Sequence, residues 1–178
     1  LGATLKDDVS AAGNTTPDPL ALQCQLAQWL AQDVFVVSME VSSHALEQGR
    51  VNGVEFATAV YTNLSHDHLD YHGSMDAYAR AKLRLFANES LRHAVINADD
   101  PFASQVRAAV VRGAQVLTYS IGGAAADIRV ANARFHAEGV RGELYNPWGV
   151  AEFFSPLPGN FNLANLAAAV VALVLAGE

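Results

Sequence analysis

The chain has 178 residues, 51% of them hydrophobic, enough for one domain to bury an ordinary core. Its 18 acidic and 11 basic residues give a net charge of −7, which argues against a nucleic-acid surface and leaves any anionic ligand dependent on local cations or backbone amides. No run of about 18 apolar residues is present to span a bilayer, the start lacks a basic stretch followed by an apolar one, and the single Cys24 fits a reducing cytosol, so a cytoplasmic protein is expected.

Residues 1–14 are polar, carry Gly2 and Gly13, and read as irregular. Helical spacing starts after Thr16-Pro17, with Leu20, Leu22, Leu26, Trp29 and Leu30 recurring and Pro17 tolerated in a first turn. The run Val34 to Val41, VFVVSMEV, is almost wholly apolar and reads as a strand covered on both faces. Ala57 to Tyr61 and His93 to Asn97 repeat that pattern, with helices expected over Met75–Phe86 and Pro101–Val111. From Gln115 to Phe154 short strand-like pieces are broken by Gly122-Gly123, Gly139, Gly142 and Asn146-Pro147, as in antiparallel hairpins. An apolar helix over Leu163–Leu175 closes the chain. The expected fold class is α/β, a mostly parallel sheet flanked by helices with a small antiparallel subregion near residues 115–154. Because the first residue is Leu and the last helix stops at Ala176-Gly177-Glu178, a piece of a longer protein is expected, with residues 1–178 as one truncated domain.

The chemistry concentrates in EVSSHALEQGR, Glu40 to Arg50, in NLSHDHLDYHG, Asn63 to Gly73, and in Lys82. These supply a carboxylate, imidazoles and a lysine of the kind a magnesium-dependent phosphoryl-transfer site needs, although no phosphate-binding loop is present. Ligands of open α/β sheets gather at the carboxyl ends of strands, where Glu40, His66, Asp67 and His68 are expected. A carboxylate ending an apolar strand either meets a cation or simply caps the strand in solvent. On a helical wheel Lys82 shares the face of Met75, Tyr78, Leu85 and Phe86, opposite Arg80 and Arg84. It either snorkels to water, or loses its proton on burial and adds carbon dioxide to become an anionic carbamate. His66, His68, Asp70 and His72 come near the H-x-H-x-D-H pattern of zinc hydrolases, but Tyr71 makes the spacing wrong by one. In GNFNLAN, Asn162 and Asn165 stand one helical turn apart, suited to reading a purine edge or to capping and solvent exposure. Asn97-Ala98-Asp99-Asp100 has the form of a turn and helix cap before Pro101.

NTTPDPLALQ, MEVSSHALEQGRV, YTNLSHDHLDYHG, AYARAKLRLF, VINADD and GNFNLAN, in this order from Asn14 onward, resemble the Mur ligase family. The resemblance implies a central, P-loop-like ATP-binding domain of an ATP-dependent acid–amino-acid ligase of peptidoglycan synthesis. It implies that Thr15, Thr16, Ser42, Gln48 and Arg50 contact UDP-MurNAc-L-Ala-D-Glu and that Glu40 and His68 hold Mg2+. Lys82 would be carbamylated in support of the metal, and Asn162 and Asn165 would lie near the adenine of ATP. The added amino acid would be diaminopimelate or lysine, with meso-diaminopimelate favoured by the wording of the motifs. The family's G-x-x-G-K-[ST] loop is nowhere in the chain, so the isolated piece is expected to bind ATP weakly and not to catalyse alone. The alternatives are another Mur ligase or a folylpolyglutamate synthetase, a zinc-dependent hydrolase, and a non-catalytic nucleotide-binding module.

Overall fold

The structure is a computed structural model that describes residues 2–5, 8–11, 14–65 and 67–177, with side chains from residue 14 onward. Two compact units are built, one from residues 1–54 and 68–85 and the other from 55–67 and 86–178.

The first unit opens with β1 (Gly2–Leu5) and β2 (Asp8–Ala11), an antiparallel pair in which Gly2 faces Ala11 and Leu5 faces Asp8. This segment was expected to be irregular. Polar composition does not prevent pairing, because the ladder is made by backbone groups. Helix α1 (Pro19–Leu30) is capped by Asp18, whose carboxylate accepts from the amides of Leu20 (3.1 Å) and Ala21 (3.0 Å). Its first-turn proline is therefore Pro19, not Pro17. Of its apolar stripe only Leu22 is buried, while Leu20 and Leu30 are exposed.

Residues 34–41 correct the sequence expectation most clearly: they form neither strand nor helix, and Phe35 is 96% exposed. Apolar, β-branched composition supplies propensity, but a strand exists only where a neighbour completes its ladder. Among the described residues none does so for this run. Helix α2 (Ser43–Glu47) follows directly, capped by the Ser42 hydroxyl, which accepts from Ala45 N at 3.2 Å. After the excursion through the second unit come α3 (Leu69–His72) and α4 (Met75–Phe86), the latter with the bounds its periodicity predicts. Tyr78, Ala79 and Ala81 of α4 are buried, Lys82 is half-buried and Arg80 is exposed.

The second unit is a six-stranded sheet in sequence order: β3 (Thr58–Tyr61), β4 (His93–Asn97), β5 (Gln115–Ser120), β6 (Ile128–His136), β7 (Gly139–Asn146) and β8 (Gly149–Ser155). Strands β3 to β6 pair in parallel and β6 to β8 antiparallel, so the hairpin region starts at Ile128 and Gln115–Ser120 belongs to the parallel part. Ala94, Val95 and Ile96 of β4 are all buried, as continuous apolar runs of parallel sheets require. Helix α5 (Ala103–Ala109) packs on β4, and α6 (Asn160–Ala176) lies across β3 to β6, burying Ala167, Ala168 and Val171 against Val95, Leu117, Ile128 and Leu144.

The acidic turn after β4 is structural in form. Asp100 accepts from the Tyr61 hydroxyl (2.8 Å) and from the amides of Leu64 and Phe102 (3.1 and 2.8 Å). Asp99 accepts from the Ser120 hydroxyl (2.6 Å) and from the amides of Ile121 and Gly122 (2.7 and 2.9 Å). Burial alone would raise its pKa, but these donors outweigh burial and hold the carboxyl below the ordinary carboxylate range. The Tyr119 phenol beside it is pushed well up, by burial first and by Asp99 and Asp100 after it.

The antiparallel end depends on two glycines with positive φ, Gly139 (139°) and Gly149 (143°). A Cβ at Gly139 would overlap the Ser155 carbonyl oxygen, whereas one at Gly149 meets nothing within 4 Å. Gly149→Ala should therefore cost only the backbone strain, about 1–3 kcal/mol, and Gly139→Ala should add about 1–3 kcal/mol of overpacking. Urea unfolding of both variants measures the difference; equal losses would mean that the close approach of the two strands is not what requires Gly139.

Candidate active site

The residues singled out in the first unit converge on one buried hydroxyl. Thr16, wholly buried, donates through Oγ1 to the Glu40 carbonyl (2.9 Å) and accepts from the Ser42 amide (3.0 Å). The chain on both sides of Val41, from the Glu40 carbonyl to the Ser42 amide, is thus tied to the segment after β2. The Thr16 carbonyl then accepts from Arg50 Nη1 at 3.0 Å, and Arg50 Nε donates to Gln48 Oε1 at 2.8 Å. Gln48 Nε2 reaches the Tyr71 hydroxyl at 2.9 Å. Thr16, Ser42, Gln48 and Arg50 therefore form one hydrogen-bonded network. Thr15 is half-buried beside it.

Arg50 takes its place because the backbone leaves α2 tightly: Gln48 N donates to His44 O (2.8 Å) and Arg50 N to Ala45 O (2.8 Å). Both partners of the guanidinium, a side-chain amide oxygen and a backbone carbonyl, are neutral, so its charge is oriented without being neutralised. The Glu40 side chain is exposed, and its carboxylate has no hydrogen-bond or ion-pair partner among the described residues.

A group of rings surrounds His68. Its imidazole meets His44 edge-on (centroids 4.9 Å apart) and Tyr78 edge-on (5.8 Å). Lys82 Nζ lies 5.3 Å from the centre of the same Tyr78 ring, so both residues share one aromatic platform. His72 stacks on Tyr78 (centroids 5.3 Å apart), with Nε2 2.9 Å from the Ser43 hydroxyl and Nδ1 3.0 Å from Glu47 Oε2, the latter contact lacking hydrogen-bond alignment. His44 sits 4.0 Å from the Tyr71 ring. Burial, followed by the nearby His68 and His72, holds its imidazole below the ordinary histidine range, with Asp70 acting in the opposite sense.

An exposed carboxylate without a partner and an imidazole fixed by rings fit Mg2+, which keeps several waters and takes one or two protein ligands. The ammonium of Lys82 fits only once it carries a carboxyl group. Among the described residues no three His, Cys, Asp or Glu side chains are grouped to hold a metal ion, and His66, which the zinc alternative needs, lies outside them.

In the second unit Asn162 and Asn165 are half-buried on the first turns of α6. Asn162 Nδ2 donates to Pro158 O at 2.7 Å, leaving its carbonyl oxygen to accept. Sequence reasoning passed over His44, Tyr71 and Tyr78 as parts of the site. Tyr71 was noticed only as a spacer, and Tyr78 only as a core position.

The model of the Mur ligase middle domain matches residues 1–173. The chain is 48% identical over 165 residues to the UDP-N-acetylmuramoyl-L-alanyl-D-glutamate--2,6-diaminopimelate ligase of Chromobacterium violaceum, covering 92% of this chain and 33% of that protein. The Pseudomonas aeruginosa ligase of the same name is 47% identical over 174 residues, covering 98% and 36%. The chain thus spans about a third of the length of these relatives. A solved structure of a ligase with that name superposes with a TM-score of 0.88 at 40% identity over 98% of this chain and 37% of that one. MurF from Acinetobacter baumannii, at 23% identity and a TM-score of 0.62 over 70% of this chain and 27% of that one, shares the fold. With this match running through nearly every described element, the chain belongs to the Mur ligase family and is a middle domain of that family.

Proposed function

We propose that the chain is the central domain of a longer, cytoplasmic, ATP-dependent ligase that adds meso-diaminopimelate to UDP-MurNAc-L-Ala-D-Glu in peptidoglycan synthesis. The observation that carries this reading is the network of Thr16, Ser42, Gln48 and Arg50, which orients a fully charged guanidinium close in sequence and structure to an unpartnered carboxylate. The names of the relatives supply the substrate and the amino acid. Among the described residues no helix is long and apolar enough to cross a membrane.

The reaction transfers the γ-phosphoryl group of ATP to the terminal carboxylate of the substrate, and the amine of the incoming amino acid then displaces phosphate from the acyl phosphate. Such a transfer requires positioning and charge neutralisation more than covalent participation by the protein. Glu40, His68 and carbamylated Lys82 would hold Mg2+, which when bound offsets the charge of the phosphates. Arg50 binds an anionic group of the UDP-sugar peptide, with Thr15, Ser42 and Gln48 around it. Thr16 acts through its backbone and by fixing Glu40, because its hydroxyl is buried and already bonded. Asn162 and Asn165 offer amides to the adenine.

In the complete ligase, Arg50→Ala should raise KM for the UDP-sugar dipeptide about ten- to a hundredfold, the loss of one charge-assisted contact, and leave KM for ATP within a few-fold. Arg50→Lys should recover only part, since the planar fork is lost. A rise in the ATP constant alone would reverse the assignment.

Lys82 should carry a carbamate in the ligand-bound enzyme, its neutral amine adding carbon dioxide with release of a proton. A 13C resonance from enzyme equilibrated with labelled bicarbonate, absent in Lys82→Ala, detects it directly. Lys82→Ala should lose activity and regain part of it with short carboxylic acids; wild-type activity in that variant would exclude the role.

A further inference from the structure

Beyond the groups assigned above, the structure contains a support that reaches the arginine from outside. Arg50 uses Nε and one N–H of Nη1 on Gln48 and Thr16, and its Nη2 edge has no partner among the described residues. What sets the direction of that edge is Gln48. An exposed glutamine on its own is free to rotate, and its amide orients nothing. Here the amide is held from the far side by the Tyr71 hydroxyl, 2.9 Å from Nε2. Tyr71 is 42% exposed, yet its ring is fixed against His44 at 4.0 Å. The residue also stands on α3, where its amide donates to His68 O (3.2 Å). The phenol is therefore immobilised at both ends while remaining at the surface.

We propose that Tyr71 is a positioning residue of the anion site: through Gln48 its hydroxyl fixes the Arg50 guanidinium so that the open edge is preset for a carboxylate or phosphate. The proposal rests on the reading of Arg50 given above. A preset donor pair gains affinity because less side-chain freedom is lost when the anion arrives. The packing of the ring on His44 is a separate role that phenylalanine retains, so removal of the hydroxyl alone isolates the relay.

The test is steady-state kinetics of the complete ligase with UDP-MurNAc-L-Ala-D-Glu, using Tyr71→Phe, Gln48→Leu, Arg50→Ala and the double variant Tyr71→Phe/Arg50→Ala. Tyr71→Phe should raise KM for the UDP-sugar dipeptide about three- to tenfold, the scale of one neutral hydrogen bond, with kcat and the ATP constant within about twofold. Gln48→Leu should do at least as much, since it removes the relay from its middle. In the Arg50→Ala background Tyr71→Phe should add nothing, a non-additivity that loss of packing would not produce. Inhibition by UDP alone identifies the anion: weakened by Tyr71→Phe, it points to a phosphate; unchanged, to the peptide carboxylate, and either pattern accompanies a raised KM for the dipeptide. If Arg50→Ala raises KM and Tyr71→Phe does not, or if the two effects add in full, the relay is wrong while the reading of Arg50 stands. If Arg50→Ala itself leaves KM unchanged, the reading of Arg50 fails and the relay fails with it.

Discussion

The site in the first unit depends on the hydroxyl of Thr16. It is wholly buried, and in one position it both donates to the Glu40 carbonyl and accepts from the Ser42 amide. Residues 34–41 have no strand ladder among the described residues, so this hydroxyl does for the end of the segment what a neighbouring strand would otherwise do. It fixes the carbonyl of Glu40 and brings Ser42 to the point where it caps α2. A buried donor or acceptor left without its partner costs about 1–3 kcal/mol, so the arrangement resists fraying although its surroundings are exposed. The carbonyl of the same threonine then receives Arg50. One residue thus sets the backbone beside the carboxylate and the head group of the arginine.

Under the proposed function, so acidic a chain has to place its few cations well. With 11 basic residues against 18 acidic ones, the general field of the chain repels nucleotides and carboxylates. Pairing Arg50 with a carboxylate would orient it but also neutralise it. Pairing it with a carbonyl and an amide oxygen orients it at no cost in charge. The carboxylates of the second unit follow the opposite logic. Asp99 and Asp100 are surrounded by hydroxyl and amide donors and serve as turn anchors, so the sequence NADD marks a built corner of the sheet.

Much of this was legible in the sequence, for reasons that differ by element. The helix over Met75–Phe86 was legible because its apolar period is set by its own packing face, and His93–Asn97 because a strand buried on both faces leaves an unbroken apolar run. Val34–Val41 has an equally apolar run and is not a strand, since strand formation depends on a partner that a single segment cannot reveal. The β1–β2 pair was missed for the converse reason, its ladder being made by backbone groups that composition does not register. At the site, residue types with chemical signatures such as Glu40, Arg50 and Lys82 stood out. Tyr71 did not, because its role lies in a contact across 23 positions of chain, and in HDHLDYH it registered only as the residue that spoils a zinc spacing.

The backbone at His68 connects these observations. It is one of three non-glycine residues with positive φ among those described, at 56°, a conformation that costs an L-residue roughly 1–2 kcal/mol. A residue in such a state persists only where its surroundings over-determine it. Here they do: its carbonyl accepts from Tyr71 N and His72 N (3.2 and 3.0 Å), and its ring is flanked by His44 and Tyr78. The side chains of Tyr71 and His72 are in turn anchored on α2 and the residue after it, through Gln48 and Ser43. Helix α3 has only four residues and could not hold this geometry through its own hydrogen bonds. Its pose is imposed by side chains reaching α2, so the same contacts that orient Arg50 also hold the strained turn on which His68 is displayed. The sequence separates Arg50 from His68 by an excursion through the second unit, and the fold makes them parts of one mechanical assembly.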